Sequence, residues 1–468
     1  MNHRNHPIGE NPMGTMPIPK LMISMAAPMM LSMLVQALYN IVDSLYVSYI
    51  PDTAAIVDAG DKAVAALTLA FPVQLLIVAL CTGTGVGINA ALSRSLGEGN
   101  RKQASKIAGN AIVLSLAYFV LILLFGLFGV DAYIRSQTSD PITAQFGISY
   151  LRIITVCSLG MTGFMCFEKL LQSTGKTVCS MVGQLVGSIT NIILDPVFIF
   201  GYFGIPAMGV AGAAVATIIG QFASMIAAMA LHLWKNTELD RHPRMMKPDF
   251  RIIGKIYVVG GPAIVMQALT SVMTYGFNLI LGTISENAIT AYGIYFKLQS
   301  FIFMPSFGLN NACVPVISYN YGAQQKKRIR QAIFSGLGIV SIIMLTGTLV
   351  LQCFSAQVVG WFDVSADATA LAIQALRIIT LGFLFAGINV ILQGACQALG
   401  NGIYSLIISL LRMIVVALPA AWLLSRLPNA KDVVWFAFPI AEASACAVAA
   451  ILTVSIYRSR TKSMPIHQ

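Results

Sequence analysis

The chain has 468 residues, 57% of them hydrophobic and 10% charged, with a mean hydropathy of +0.78 and a formal net charge of +11. So little polar surface cannot clothe a water-soluble core, which excludes a soluble enzyme or binding module and makes lipid the solvent for most of the chain. The positive charge comes with no zinc-finger or helix-turn-helix pattern, so nucleic acid is not an expected partner; the eight cysteines are scattered through apolar stretches without a CxxC pair, as small packing residues.

Residues 1–20 are polar and Pro-rich, with no apolar core of the signal-peptide type, and read as a lead-in to the first helix. A membrane-crossing helix needs about 20 apolar residues, because backbone polar groups cannot be left unpaired in hydrocarbon. In chain order such stretches fall at roughly 21–46, 62–92, 107–129, 145–167, 177–202 and 208–233. After the polar stretch WKNTELDRHPRMMKPDF (234–250) they resume at roughly 254–282, 288–318, 331–354, 370–395, 402–424 and 433–457. The expected fold is an all-α membrane protein of twelve transmembrane helices in two pseudo-symmetric six-helix lobes. Its expected parts are an N-terminal segment (1–20), an N-lobe (21–233), a linker (234–253), a C-lobe (254–457) and a tail (458–468).

Loop charges sort by side. One face collects Arg94, Arg101, Lys102, Lys106, Lys169, Lys176, the linker residues Lys235, Arg241, Arg244, Lys247, Arg251 and Lys255, then Lys326, Lys327, Arg328, Arg330, Arg458, Arg460 and Lys462. The opposite face carries Asp52, Asp58, Asp61, Asp131, Asp140, Glu286, Asp363 and Asp367. Positive loops stay inside, so both termini are expected in the cytoplasm of a multi-pass inner- or plasma-membrane protein, with anionic-lipid contact as a secondary benefit.

The two halves repeat. At a constant offset of 225 residues, AALTLAFPVQ (65–74) overlies TAYGIYFKLQ (290–299), Gly83 meets Gly308 and Gly97 meets Gly322. LRIIT recurs at 151–155 and 376–380, and EKLLQSTGK (168–176) overlies QGACQALGN (393–401), matching Gln172 with Gln397 and Gly175 with Gly400. For the first helix of each half the offset is 234, which sets Pro28 over Pro262. Six spans per half give both lobes one membrane orientation, an arrangement suited to a carrier that rocks about a central cleft. Pro28 and Pro262 each remove a backbone hydrogen bond, so both are hinge candidates, with a static kink the plain alternative.

Ionisable groups inside spans are expensive and mark function by default. They are Asp43, Arg152, Asp195, Lys297, Arg377, Arg412 and Glu442. Asp43 follows Tyr39 by four residues and Asp195 follows Asn191 by four, so each pair shares a helix face. Counting depth from the span ends puts Asp43, Asn191, Asp195, Thr217 and Tyr150 in one layer of the N-lobe. That oxygen-rich set suits a hard monovalent cation such as Na+, or a proton shared between close carboxylates. Their repeat counterparts are Phe277 for Asp43, Val416 for Asn191, Ala420 for Asp195 and Glu442 for Thr217, so three of four polar positions turn apolar, as a purely structural role would not require. The plain alternative is that the two aspartates cap helices or reach the outer interface. Lys297, Arg412 and Glu442 fall near mid-span in the C-lobe; Lys297 is read as a substrate-cavity candidate, as are Tyr39, Tyr150, Gln36 and Met266, the last as part of a soft Met-containing cleft. Arg412 and Glu442 are read first as a mutually neutralising structural pair, and Arg152 and Arg377 as stabilisers of outer helix ends.

These residues resemble the multidrug and toxic compound extrusion (MATE) transporters over nearly the whole chain. The likeness is carried by PKLMISMAAPMMLSMLVQALYNIVDSLYVS (19–48), NIILDPVFIFGYFGIPAMGVAGAAVAT (191–217) and YGIYFKLQSFIFMPSFGLNNACVPVISYNYGA (292–323). The sequence is similar to the bacterial multidrug branch of the DNA-damage-inducible type, and it has no acid in the seventh or tenth span. The resemblance implies an antiporter that expels amphipathic, often cationic organic compounds in exchange for Na+ or H+, with no cofactor beyond that ion. It also implies a first-lobe cation site at Asp43, Asn191, Asp195 and Thr217, tyrosines near Tyr39 and Tyr150, and a bending proline at Pro28. The expected partners are the bilayer and small amphipathic molecules, with the chain acting as a monomer.

Three rivals are weighed. A flippase for a lipid-linked or amphipathic anionic metabolite would want a cationic cavity, for which only Lys297 and Arg412 speak. A major-facilitator carrier would carry an acidic–Arg loop after its second span, where this chain has SRSLGEGNRKQ. An enzyme finds no HExxH or GxSxG, and His3, His6, His232, His242 and His467 all lie outside the spans or at a helix end.

Overall fold

A computed structural model describes residues 11–51, 58–240, 242–362 and 364–464. Asp52, Arg241 and Asp363, counted above among the loop charges, lie outside the described residues, as do His3, His6 and His467. Twelve helical spans follow the expected order. In the first half they are Ile18–Ser48, Ala59–Gly97, Arg101–Phe128, the pair Pro141–Val156 and Leu159–Ser173, Thr177–Phe200 and Gly209–Lys235. In the second they are Phe250–Gly282, Glu286–Gly322, Lys326–Val359, Ala366–Ala398, Gly402–Leu424 and Ala430–Thr461. They are numbered spans 1 to 12 below. Among the described residues there is no strand.

Helix ends follow local chemistry. Asn100, Asp140, Ser285 and Asn401 each accept a hydrogen bond from a backbone N–H two or three residues on, satisfying donors that the first turn orphans. Spans 4 and 10 stop at repeat-equivalent glycines, Gly175 and Gly400, whose φ of +82° and +81° fits the left-handed cap that Gly adopts without strain. Span 4 departs from the expected continuous helix: it bends by 47° between Val156 and Leu159. Pro28 and Pro262 interrupt neither helix, since spans 1 and 7 run through them.

The lobes meet along spans 1, 2, 7 and 8, and the contact repeats the pseudo-symmetry. A Cβ at Gly97 would lie 1.9 Å from the carbonyl oxygen of Tyr319, and one at Gly322 would lie 2.1 Å from that of Arg94. Arg94 and Tyr319 are themselves 225 residues apart. Higher up, a Cβ at Gly83 would lie 2.5 Å from the Ile264 nitrogen and one at Gly308 would lie 2.7 Å from that of Met30, again a repeat pair. The matched glycines therefore let backbones approach where a side chain would block them, as small residues do between membrane helices.

On the basic face this contact is overlaid by the N-terminal segment, which the sequence reads as a plain polar lead-in. Residues Pro12–Thr15 form a helical turn capped by Asn11, and Met13 is fully buried. Asn11 Nδ2 donates to Glu238 at 2.9 Å, and Glu238 also accepts from Lys176. From the second half, Arg328 donates to the carbonyls of Met13 and Met16 at 2.9 and 2.8 Å, and Asn320 donates to Met13. The turn thus ties the two halves together over their closed end. The stretch after span 6 lies against span 3, where Ser105 donates nothing outward but accepts the Asp240 amide, and Asn110 bonds both Lys247 and Asp249.

Candidate functional site

Span 1 lies between span 5 of its own half and span 8 of the other, so its outer part looks into both lobes. Asp195 is fully buried on span 5, one turn beyond Asn191. Asn191 Nδ2 donates to Asp195 Oδ1 at 3.1 Å and to Thr217 Oγ1, from span 6, at 3.4 Å. Asp43 stands one turn beyond Tyr39 on span 1, which packs against span 5. The depth argument and the structure agree here: spans 1, 5 and 6 bring these groups together. Three acceptor atoms, Asp43 Oδ1, Asn191 Oδ1 and Asp195 Oδ2, are buried with no hydrogen-bond donor among the described residues. Acceptors without donors in a buried pocket suit a bound cation or a carboxyl proton, either of which removes the cost of leaving them unpaired.

Beside this cluster opens a cavity of about 580 Å³ between the lobes, lined from the N-lobe by Gln36, Tyr39, Asn191 and Thr217 and from the C-lobe by Met266. On the cavity's basic side, spans 2 and 8 meet at the Gly97 and Gly322 contacts. Tyr150 is not among its lining residues; it is buried behind them, its hydroxyl accepting from Gln74 Nε2 at 3.3 Å. Lys297 is not there either. It is exposed on the outside of span 8, with its ammonium 5.8 Å from the Phe362 ring towards the acidic end, because a lysine stem reaches an interface more cheaply than it crowds a packed lobe boundary.

Lys169 needs the opposite correction. Counted above with the basic loops, it is 3% exposed, 3.7 Å from Glu168, and donates to Gln172 at 2.9 Å. Glu168 and Lys169 both line the cavity. Adjacent opposite charges followed by a polar turn look like a loop in sequence, which hid them. Arg412 and Glu442 do pair, at 3.3 Å, and line the opposite wall. Arg152 pairs with Asp131, and Arg377 donates to Ser355, both near outer helix ends. Uncharged amides such as Gln267, Gln299 and Gln393 also line the cavity, and neither charge nor motif singles them out in the sequence.

The C-lobe differs at the equivalent place. Phe277, the counterpart of Asp43, is fully buried and stacks on Phe438 at 4.4 Å and on Tyr292 at 5.7 Å. An aromatic stack fills the volume that holds carboxylates in the N-lobe.

Residues 28–197 and 262–423 match the MatE protein-family model. The chain belongs to the MatE family. The two matched stretches begin 234 residues apart, at 28 and 262, and end 226 apart, at 197 and 423, so the MatE repeat coincides with the internal duplication. Among curated MatE-type relatives, the multidrug export protein MepA of Staphylococcus aureus (strain MSSA476) is 26% identical over 446 residues, 95% of each chain. MepA of Staphylococcus saprophyticus is 26% identical over 441 residues, 94% of each. A solved structure described as an outward-facing multidrug resistance MATE family transporter of the MOP superfamily superposes with a TM-score of 0.88 at 25% identity, covering 97% of this chain and 98% of that one. A crystal structure of MATE in complex with MaL6 gives the same TM-score and identity over 99% and 100%. This MatE chain is accordingly a multi-pass membrane transporter built as two lobes.

Proposed function

We propose that the chain exports amphipathic, often cationic organic compounds in exchange for Na+ or H+, by alternating access, with its basic face in the cytoplasm. The observation that carries this reading is the cluster of donorless buried acceptors on Asp43, Asn191 and Asp195, placed beside a cavity that both lobes line. Thr217 Oγ1 supplies a further oxygen, so four side chains from spans 1, 5 and 6 can hold a small cation, or the two carboxyls can share a proton. Spans 1 and 5 border both the cluster and the cavity, so the cluster's occupancy and that of the cavity can bias the same helices. Closure at the basic side, together with likeness to a structure described as outward-facing, favours an outward-open state.

The energetics suffice. One charge crossing about 100 mV releases roughly 2.3 kcal/mol, and a tenfold solute gradient costs about 1.4 kcal/mol. A single entering cation at about 150 mV therefore supports two to three decades of gradient for a neutral solute. The test is dye efflux from everted vesicles under imposed Na+ or pH gradients, comparing the parent with Asp43→Asn. Coupled efflux should vanish in the variant while expression is preserved; normal gradient-driven efflux would remove the cluster from the mechanism.

A further inference from the structure

The polar focus of the C-lobe shares only the Thr217 position with the cation cluster of the N-lobe, and its chemistry differs. Glu442 occupies the position of Thr217, and Arg412, offset by 225, that of Gly187. Arg412 belongs to a π-helical turn, Leu411–Val416, and such widened turns gather at functional sites. Its nearest approach to Glu442 is through Nε, at 3.3 Å, and neither Nη atom makes a hydrogen bond among the described residues. Glu442 has a second holder: Asn389 donates to its Oε2 at 2.9 Å. One turn from Asn389 on span 10, Gln393 is 6% exposed; it accepts from Ser409, and its Nε2 is buried without an acceptor. Arg412 and Gln393 both line the cavity, and the Nη edge of the guanidinium faces it with no protein acceptor to engage it among the described residues. Beside them stands the aromatic wall of Tyr295 and Phe438, ring centroids 5.6 Å apart.

We propose that this C-lobe wall is a subsite for the carboxylate end of an aromatic cargo, with the Nη edge of Arg412 donating to its oxygens and the aromatic wall stacking on its ring. A planar fork matches carboxylate geometry, and unengaged donors in a low-dielectric cavity favour an anionic acceptor strongly. Glu442 holds Arg412 through Nε and leaves its outer edge free, while the net charge of the empty pair stays near zero. Cargo carrying both a carboxylate and an ammonium group can then use the two walls of one cavity. The inference rests on the export reading, since it names a cargo class for the same cavity.

The experiment is equilibrium binding of naphthalene carboxylate and of its carboxamide to the full chain in nanodiscs of zwitterionic lipid. No ion gradient is applied, so a failure of ion coupling leaves this measurement standing, and loss of acid preference here leaves coupling untouched. The parent should prefer the acid to the amide at least tenfold. Arg412→Gln should reduce acid binding at least tenfold and change amide binding less than twofold. The double variant Arg412→Gln with Glu442→Gln, which leaves no lone buried charge, should show the same loss, and Arg412→Lys should recover only part of the preference. Glu442→Gln alone should keep or strengthen it. Equal binding of acid and amide by the parent, or an acid preference that survives in the double variant, overturns the proposal.

Discussion

Gly97 faces the carbonyl oxygen of Tyr319 at a distance where a Cβ would lie 1.9 Å away, and its repeat partner Gly322 does the same to Arg94. Spans 2 and 8 thus touch backbone to backbone at their basic ends, and the closed state depends on the absence of two side chains. Gly97→Val adds volume against a backbone oxygen that has no rotamer to escape into. Overpacking of a tight contact costs about 1–3 kcal/mol, and here it acts on one conformational state only. Expression should persist, while in a background carrying Gln36→Cys in the cavity, cysteine-labelling reagents applied from the basic side should react faster than without Gly97→Val. Unchanged labelling would show that the contact does not gate that side.

The N-terminal turn fastens this closed end. Arg328→Ala removes three hydrogen bonds, to Met13, Met16 and Asn320, each to a charged donor worth about 1.5–3 kcal/mol. Hydrogen exchange at residues 13–16 should speed up by at least tenfold, with spans 1 and 8 little affected. Exchange as slow as in the parent would assign the turn's order to the burial of Met13 and to the bonds of Asn11 and Asn320 instead.

Whether the cluster takes sodium is readable from stability. A ligand at a hundred times its Kd stabilises by about 2.7 kcal/mol, so sodium should raise the melting temperature of the parent and leave Asp195→Asn unmoved. Thr217→Ala, which removes one neutral oxygen, should keep part of the shift. A sodium shift that survives Asp195→Asn places the ion elsewhere, and no shift in either protein points to the proton.

The corrected position of Lys297 changes what its removal should do. Lys297 is exposed on span 8, its ammonium 5.8 Å from the Phe362 ring, and it is not among the residues that line the cavity. Lys297→Ala should therefore leave the relative efflux of cationic, neutral and acidic dyes within twofold of the parent; a changed profile would put it back among the binding groups.

Much of this was legible because membrane burial writes itself into the chain. Long apolar runs marked the twelve helices, and the 225-residue register matched glycines that turn out to occupy equivalent tight contacts between the lobes. The grouping of Asn191 and Asp195 with Thr217 agrees with depth counting, since helices crossing one slab must bring equal depths together. Direction around the helix axis was not legible. Lys297 and Gln299 are two residues apart, yet one is exposed outside and the other lines the cavity, and mean hydropathy does not distinguish them. Lys169 was misplaced because it is neutralised by its own neighbour, and Met13 because a single buried turn is too short for any periodicity.

Cargo charge should decide how strongly voltage drives transport. If one cation enters for each cargo molecule leaving, a cationic cargo cancels the transferred charge, a zwitterion leaves one charge moving, and a carboxylate leaves two moving in the favourable direction. At about 100 mV these differ by roughly 2.3 kcal/mol per charge, or nearly two decades of attainable gradient each. In proteoliposomes clamped with potassium and valinomycin, steady gradients of acidic cargo should rise most steeply with voltage and those of cationic cargo should not respond. Arg412→Gln should slow acid export without altering that slope, because charge stoichiometry belongs to the cation cluster and recognition to the C-lobe wall. A slope that changes with Arg412 would mean that the two sites are not separable, and that the arginine takes part in moving charge.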